Sequence, residues 1–182
     1  MIENETEQIH KFINRWNQDK NTFKVEDFYP IFLLEEMEKV ESKDKENYYS
    51  IANDGAGGRF VLWYYKDLNN EPPIVFFGSE GQVEFIAENY KEFVYSMVDD
   101  EYSYFSSLLD DYRDFLEDKN NGCNPDIEYE IGDDITEEMV EQTWNSVNKL
   151  KKELEEKFPY MDDDCCVNEK KFNSNKGRLS VY

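Results

Sequence analysis

The stretch from Tyr48 to Ala87 constrains the fold most, because it holds three apolar runs of strand-forming residues separated by turn residues. The runs cover residues 60–65, 74–77 and 83–87, and each is rich in β-branched or aromatic side chains. Asn, Asp, Gly and Pro dominate between the runs, and these residues favour tight reversals of the chain. The pattern therefore predicts an antiparallel meander.

The first of these runs predicts a strand in the middle of the sheet. Its alternate residues are apolar on both sides, with Phe60, Leu62 and Tyr64 on one side and Val61, Trp63 and Tyr65 on the other. A strand that is apolar on both faces is usually covered on both. Just before it, residues 53–58 (NDGAGG) tolerate positive φ, which predicts a tight hairpin into the strand.

Three segments in this region resemble the SUKH superfamily, the Smi/Knr-like proteins: IANDGAGGRFVLWYY, PPIVFFGSEG and the helix start NYKEFVYSMV. The resemblance extends from about residue 28 to about residue 98. It is carried by an acidic glycine turn, an aromatic strand, a Ser-Glu-Gly turn and a helical Phe, at Asp54, Gly55, Gly58, Trp63, Gly78, Ser79, Glu80, Gly81 and Phe93.

The resemblance implies a function as well as a fold. Most bacterial members of the superfamily look like immunity proteins that bind and neutralise a polymorphic toxin, often a nuclease. Yeast members are regulators of cell-wall and signalling processes. An immunity protein is therefore the first expectation, and a regulatory scaffold for cell-wall or signalling enzymes is the alternative.

Helices are predicted on both sides of the meander. Apolar residues at helical spacing indicate helices over residues 6–16, from Asn89 as the N-cap, over residues 102–116, and from about Thr136 to Phe158. The single histidine, His10, lies beside the apolar stripe of the first helix, and we expect it to face solvent. The apolar run over residues 28–34 fits either a strand or a helix start.

We therefore expect one α+β domain over residues 1–160, with a mostly antiparallel sheet of about four to six strands packed against N- and C-terminal helices. Residues 35–46 are charged and are predicted to form a surface connection. Residues 161–182 are polar with few apolar anchors, which predicts a mobile tail.

Charge limits the choice of partner. The chain carries 42 acidic and 20 basic residues, a net charge of −22, and residues 99–164 hold 22 of the acidic ones. Such an excess argues against nucleic acid and anionic membranes and favours a basic protein partner, with self-repulsion favouring a monomer. The candidate partner-binding residues are acidic or aromatic: Asp54, Trp63, Tyr65, Phe77, Glu80, Asp99, Asp100, Glu101, Asp110 and Asp111.

Catalysis has little support in the sequence. Asp54 and Glu80 lie on two turns and could serve as an acid and base pair for glycoside cleavage, but their neighbouring glycines favour turn roles. With one histidine and no GxSxG motif, nucleophilic catalysis is not indicated, and we expect no enzyme.

Cysteine usage and the chain start bear on cofactors and location. The chain has three cysteines, Cys123, Cys165 and Cys166, and their spacing is neither that of a disulfide framework nor that of a zinc site. We therefore expect reduced thiols and no metal or other cofactor. The first residues lack the basic and apolar regions of a signal peptide, and no run is long enough to span a membrane. We expect a cytoplasmic protein.

Overall fold

The computed structural model describes residues 5–18, 31–43, 46–69, 71–99, 110, 113–114, 121, 137–160 and 167–179. Its strands are β1 (Ile31–Val40), β2 (Asn47–Asp54), β3 (Arg59–Tyr64), β4 (Ile74–Phe77) and β5 (Val83–Ala87). Its helices are α1 (Glu5–Gln18), α2 (residues 90–99 in the described part), α3 (Glu137–Lys157) and α4 (Val167–Asn175). A short 3₁₀ turn, Lys176–Arg178, follows α4.

The strands form one five-stranded antiparallel sheet in the order β1-β2-β3-β4-β5. The predicted meander and the α+β class are thereby confirmed. Each strand pairs with its neighbour in sequence, because the connections are short and rich in turn residues. Gly57 and Gly81 adopt φ of 91° and 87° in the two hairpin turns, as the glycine-rich sequence predicts.

Both faces of β3 are covered, which confirms its predicted central position. The larger core joins one sheet face to α1, α2 and α3 and includes Phe60 and Leu62 from β3. The smaller core lies on the opposite face and includes Val61 and Trp63. Alternation along a strand sends successive side chains to opposite faces, so one six-residue strand supplies both cores.

The smaller core is closed by α4, which corrects the predicted mobile tail over residues 167–179. Phe172 and Leu179 are buried against the sheet, while the other side chains of the segment are mostly exposed. Two anchors in a polar segment are a weak sequence signal, because a helix this short buries only one narrow stripe.

The first strand also departs from expectation. The undecided apolar run proves to be a strand from Ile31, and the strand continues to Val40, where a surface connection was predicted. Its register against β2 shifts between Leu33 and Glu38. Glutamates and a lysine occupy the exposed positions of this edge strand, so its charge resembles that of a loop.

The helix predictions fare better. Helices α1 and α3 have the predicted positions, and Asn89 caps α2 by accepting a hydrogen bond from the Glu92 N–H at 2.9 Å. The helix predicted over residues 102–116 falls largely outside the described residues, although 110, 113 and 114 are helical.

His10 corrects a further expectation, because it is buried, with 3% of its surface exposed. Its Nε2 lies 2.7 Å from the carbonyl oxygen of Leu34, and its Nδ1 lies 2.6 Å from the Tyr90 hydroxyl. A carbonyl only accepts, so Nε2 donates to Leu34 and Nδ1 accepts from Tyr90. The imidazole thus joins α1 to β1 and α2.

Candidate partner-binding surface

The structure brings two of the predicted residues to one end of the sheet. Asp54 ends β2 and Glu80 lies in the turn between β4 and β5, and both turns fall at the same end of the meander. A Cβ atom added to Gly57 would lie 3.8 Å from the Cβ of Ser79, so the two turns are in contact. We call residues 54–58 and 78–82 the turn edge.

Within the turn edge, Asp54 has a structural role that its glycine neighbours predict. Its Oδ1 accepts hydrogen bonds from the backbone N–H of Ala56, at 2.9 Å, and from that of Gly58, at 2.5 Å. These bonds close the hairpin in the manner of an Asx turn. Glu80 is exposed, and its carboxylate contacts only the Gln82 amide, at 3.4 Å, among the hydrogen bonds described for it.

Replacing Asp54 with alanine is expected to lower the free energy of unfolding by about 1–2 kcal/mol, because two backbone donors lose a charged acceptor. Asp54→Asn keeps an oxygen at the same place and should cost less than about 1 kcal/mol. Urea denaturation of both variants checks this. Equal losses for the two would show that the charge, and not the acceptor geometry, holds the turn.

The three aromatic candidates lie on the sheet face beneath α4. Trp63 and Phe77 are 1% and 2% exposed, so the prediction that they contribute to a partner surface is corrected: α4 covers them. Tyr65 is half-buried at the margin of the same core. The aromatic residues on this sheet face belong to a second core, which α4 covers. The polar sequence of α4 did not predict this contact.

Polar contacts tie α4 to this face. Asn168 is buried; its Oδ1 accepts from the Tyr65 hydroxyl at 2.6 Å, and its Nδ2 donates to the Glu88 carbonyl at 2.8 Å. The Glu88 carboxylate accepts from the backbone N–H groups of Asn168 and Glu169, at 2.9 and 3.0 Å. A carboxylate at a helix N-terminus satisfies free donors and complements the helix dipole.

The remaining acidic candidates come after β5 in the sequence. Asp99 ends the described part of α2 and forms an ion pair of 2.6 Å with Lys151 of α3, so it joins two helices. Asp110 is exposed, and its Oδ1 lies 3.9 Å from Nη1 of Arg113. Asp100, Glu101 and Asp111, like the three cysteines, lie outside the described residues.

Sequence reasoning missed a cavity of about 520 Å³ between the start of α1 and the first three strands. Its walls come from distant parts of the chain, and only the fold brings them together. They are Thr6, Glu7, Met37, Asn47, Tyr49 and Tyr64. The sequence analysis places Tyr64 on one apolar side of β3, but it gives no signal that links Tyr64 to Tyr49 or to the start of α1.

No group of three or more His, Cys, Asp or Glu side chains within the described ranges is placed to hold a metal ion. None of the helices in the part of the chain that the structure describes is both long and apolar enough to cross a membrane.

The five-stranded antiparallel meander, preceded by α1 and followed by α2 and α3, is an α+β arrangement that is consistent with the SUKH fold. A family model with the description "SUKH_6: SMI1-KNR4 cell-wall" matches residues 2–94, and the chain belongs to this family. The match covers α1, the sheet and the start of α2. No curated protein and no solved structure matches the chain.

Proposed function

We propose that this protein acts by stoichiometric binding, without catalysis, as an immunity protein that docks on a basic toxin domain and neutralises it. A nuclease is the toxin class that suits it best, because an acidic surface can occupy the place of phosphates in a basic cleft. Family membership supports a protein-binding role, since SUKH domains often bind proteins.

The observation that supports the proposal is that the described aspartate and glutamate side chains lie at the protein surface. The chain has a net charge of −22, and none of the aspartates and glutamates whose side chains are described is buried. Exposed glutamates lie along the edge strand β1 and the helix α3, and the turn edge adds the exposed Glu80 beside the half-buried Asp54. Charge placed this way attracts a basic partner from a distance and accelerates the encounter.

The experiment that tests the function is growth rescue. The chain is coexpressed with the toxic C-terminal domain encoded beside its gene, and survivors are counted against an empty vector. We expect rescue together with a one-to-one complex on a sizing column. A folded chain that neither rescues growth nor forms a complex would contradict the proposal.

Affinity in that complex is expected to fall as salt rises, because exposed charges are screened within about 8 Å at physiological ionic strength. The double variant Asp54→Asn, Glu80→Gln should slow association by about three- to tenfold. A matched pair on α3, Glu155→Gln with Glu156→Gln, removes the same charge from exposed positions. Stopped-flow association rates compare the two. A rate that does not change with salt would contradict the electrostatic attraction. An equal effect of the matched pair would show that the partner does not dock on the turn edge in preference to the rest of the acidic surface.

The description of the matching family as cell-wall related favours a second candidate, a regulatory scaffold for cell-wall or signalling enzymes. Affinity purification of the tagged full chain from its own cells distinguishes the two. Recovery of a cell-wall enzyme in a stoichiometric complex, without rescue from the toxin, would favour the scaffold.

A further inference from the structure

The cavity at the start of α1 lies away from the turn edge, because it is lined by the start of β2 and the end of β3. It lies beside the register shift in β1, where Met37 forms part of its wall. Its volume of about 520 Å³ falls within the range of sites that bind small ligands or single side chains with their flanking backbone. The fold therefore leaves room for a ligand group here.

Two tyrosines shape one side of the cavity. The rings of Tyr49 and Tyr64 come from adjacent strands, with centroids 5.4 Å apart and planes inclined at 76°. Both side chains are half-buried, so part of each ring remains accessible. A tyrosine face carries negative potential and attracts a cation that lies over it.

Carboxylates give the cavity a negative potential. Glu7 lines it, and burial raises the pKa of the Tyr64 hydroxyl, with neighbouring Tyr49 and the charges of Glu7 and Glu71 adding to the rise. Among the described residues that line the cavity, Glu7 carries the charge, and Thr6 and Asn47 add polar groups at its wall.

We propose that this cavity binds the guanidinium group of an arginine side chain presented by the protein partner. The inference rests on the proposed function, because a basic partner supplies the arginine. A guanidinium is planar, so it can stack on the face of one tyrosine. Its fork of N–H donors can then reach a carboxylate such as Glu7, a geometry that an ammonium group cannot match.

The test uses the full chain and a small probe, so that it does not depend on the toxin. N-acetyl-arginine methylamide is titrated against the isotopically labelled protein, and N-acetyl-citrulline methylamide, its neutral isostere, serves as the control. We expect chemical-shift changes at the cavity residues and an affinity for the arginine probe about tenfold higher than for citrulline. Equal affinity for the two, or shifts confined to other surfaces, would overturn the proposal. Equal binding of N-acetyl-lysine methylamide would overturn the choice of arginine.

Variants locate the site. Tyr64→Leu removes one ring, and Glu7→Gln removes the charge from an exposed residue that should leave the fold intact. Each is expected to weaken the arginine probe by about three- to tenfold. Glu84→Gln is the matched control, because Glu84 is exposed on β5, two strands beyond β3. An effect of Glu84→Gln as large as that of Glu7→Gln would show that the probe responds only to the overall negative charge of the protein, and it would overturn the proposed site.

The failures of the two proposals remain distinguishable. Arginine binding at the cavity without growth rescue would contradict the immunity function and support the arginine site. Growth rescue that is unchanged by Tyr64→Leu and Glu7→Gln, with no binding of the arginine probe, would contradict the arginine site and support the immunity function.

Discussion

Replacing Phe172 with alanine is expected to lower the free energy of unfolding by about 3–4 kcal/mol. The ring is 2% exposed and packs against Phe85, with centroids 5.8 Å apart, in the core between α4 and the sheet. Its removal leaves a cavity beside Phe85, in the core that also contains Trp63 and Phe77, and a nine-residue helix cannot close it. Urea denaturation followed by tryptophan fluorescence measures the loss.

Val167→Ala is the matched control on the same helix. Val167 is 48% exposed, so this change should alter stability by less than about 0.5 kcal/mol. If Phe172→Ala were as mild as Val167→Ala, α4 would not cover the sheet in solution, and Trp63 and Phe77 would return as candidates for the partner surface.

Replacing His10 with alanine is expected to cost about 2–3 kcal/mol, because it removes two buried hydrogen bonds at once. The Leu34 carbonyl keeps a bond from Asn14, at 3.1 Å, whereas the fully buried Tyr90 hydroxyl loses its acceptor. Tyr90→Phe removes that stranded hydroxyl. The double variant should therefore be less destabilised than the sum of the single variants, and strict additivity would show that the His10 to Tyr90 bond contributes nothing.

The pH dependence of stability provides an independent signature of the same residue. Burial lowers the pKa of His10 from its usual value near 6.5, and the hydrogen bond to Leu34 opposes this shift only in part. The unfolded chain therefore binds the proton more readily than the folded one. The contribution of His10 is fully present above about pH 6.5 and is lost as the pH falls below it, with a slope of at most about 1.4 kcal/mol per pH unit.

Unfolding free energies of the wild type and His10→Ala, measured between pH 5 and pH 8, isolate this term. The contributions of the carboxylates cancel in the difference between the two proteins. The difference should shrink as the pH falls. A difference that stays constant would show that the imidazole titrates alike in both states and is not buried as described.

The central part of the fold was predictable because its signals are local. The glycine turn after Asp54, the two apolar faces of β3 and the Asn89 cap each depend on residues close in sequence, so periodicity and turn chemistry suffice to place them. The edge strand β1 was harder to predict, because an exposed edge carries charges that also suit a loop. His10 was misplaced because its partners, Leu34 and Tyr90, lie 24 and 80 residues away.

The candidate site was less predictable than the fold. Asp54 and Glu80 were predicted individually, but only the meander brings their turns into contact. Trp63 and Phe77 were expected near a partner, and α4 covers them instead. The arginine site proposed here draws its walls from one helix and three strands, and no short sequence motif links them.

The sequence by itself determined the meander, the central strand and the helices α1, α2 and α3. These follow from alternation, helical spacing and turn residues, which act over a few residues. The family to which the chain belongs was suggested separately, by the resemblance of its motifs, and is shown by the family model that matches residues 2–94. Only the tertiary structure decided that α4 closes the second sheet face, that His10 is buried and that two tyrosines and Glu7 share one cavity. Burial and proximity between distant segments depend on how the whole chain packs, and no local pattern encodes them.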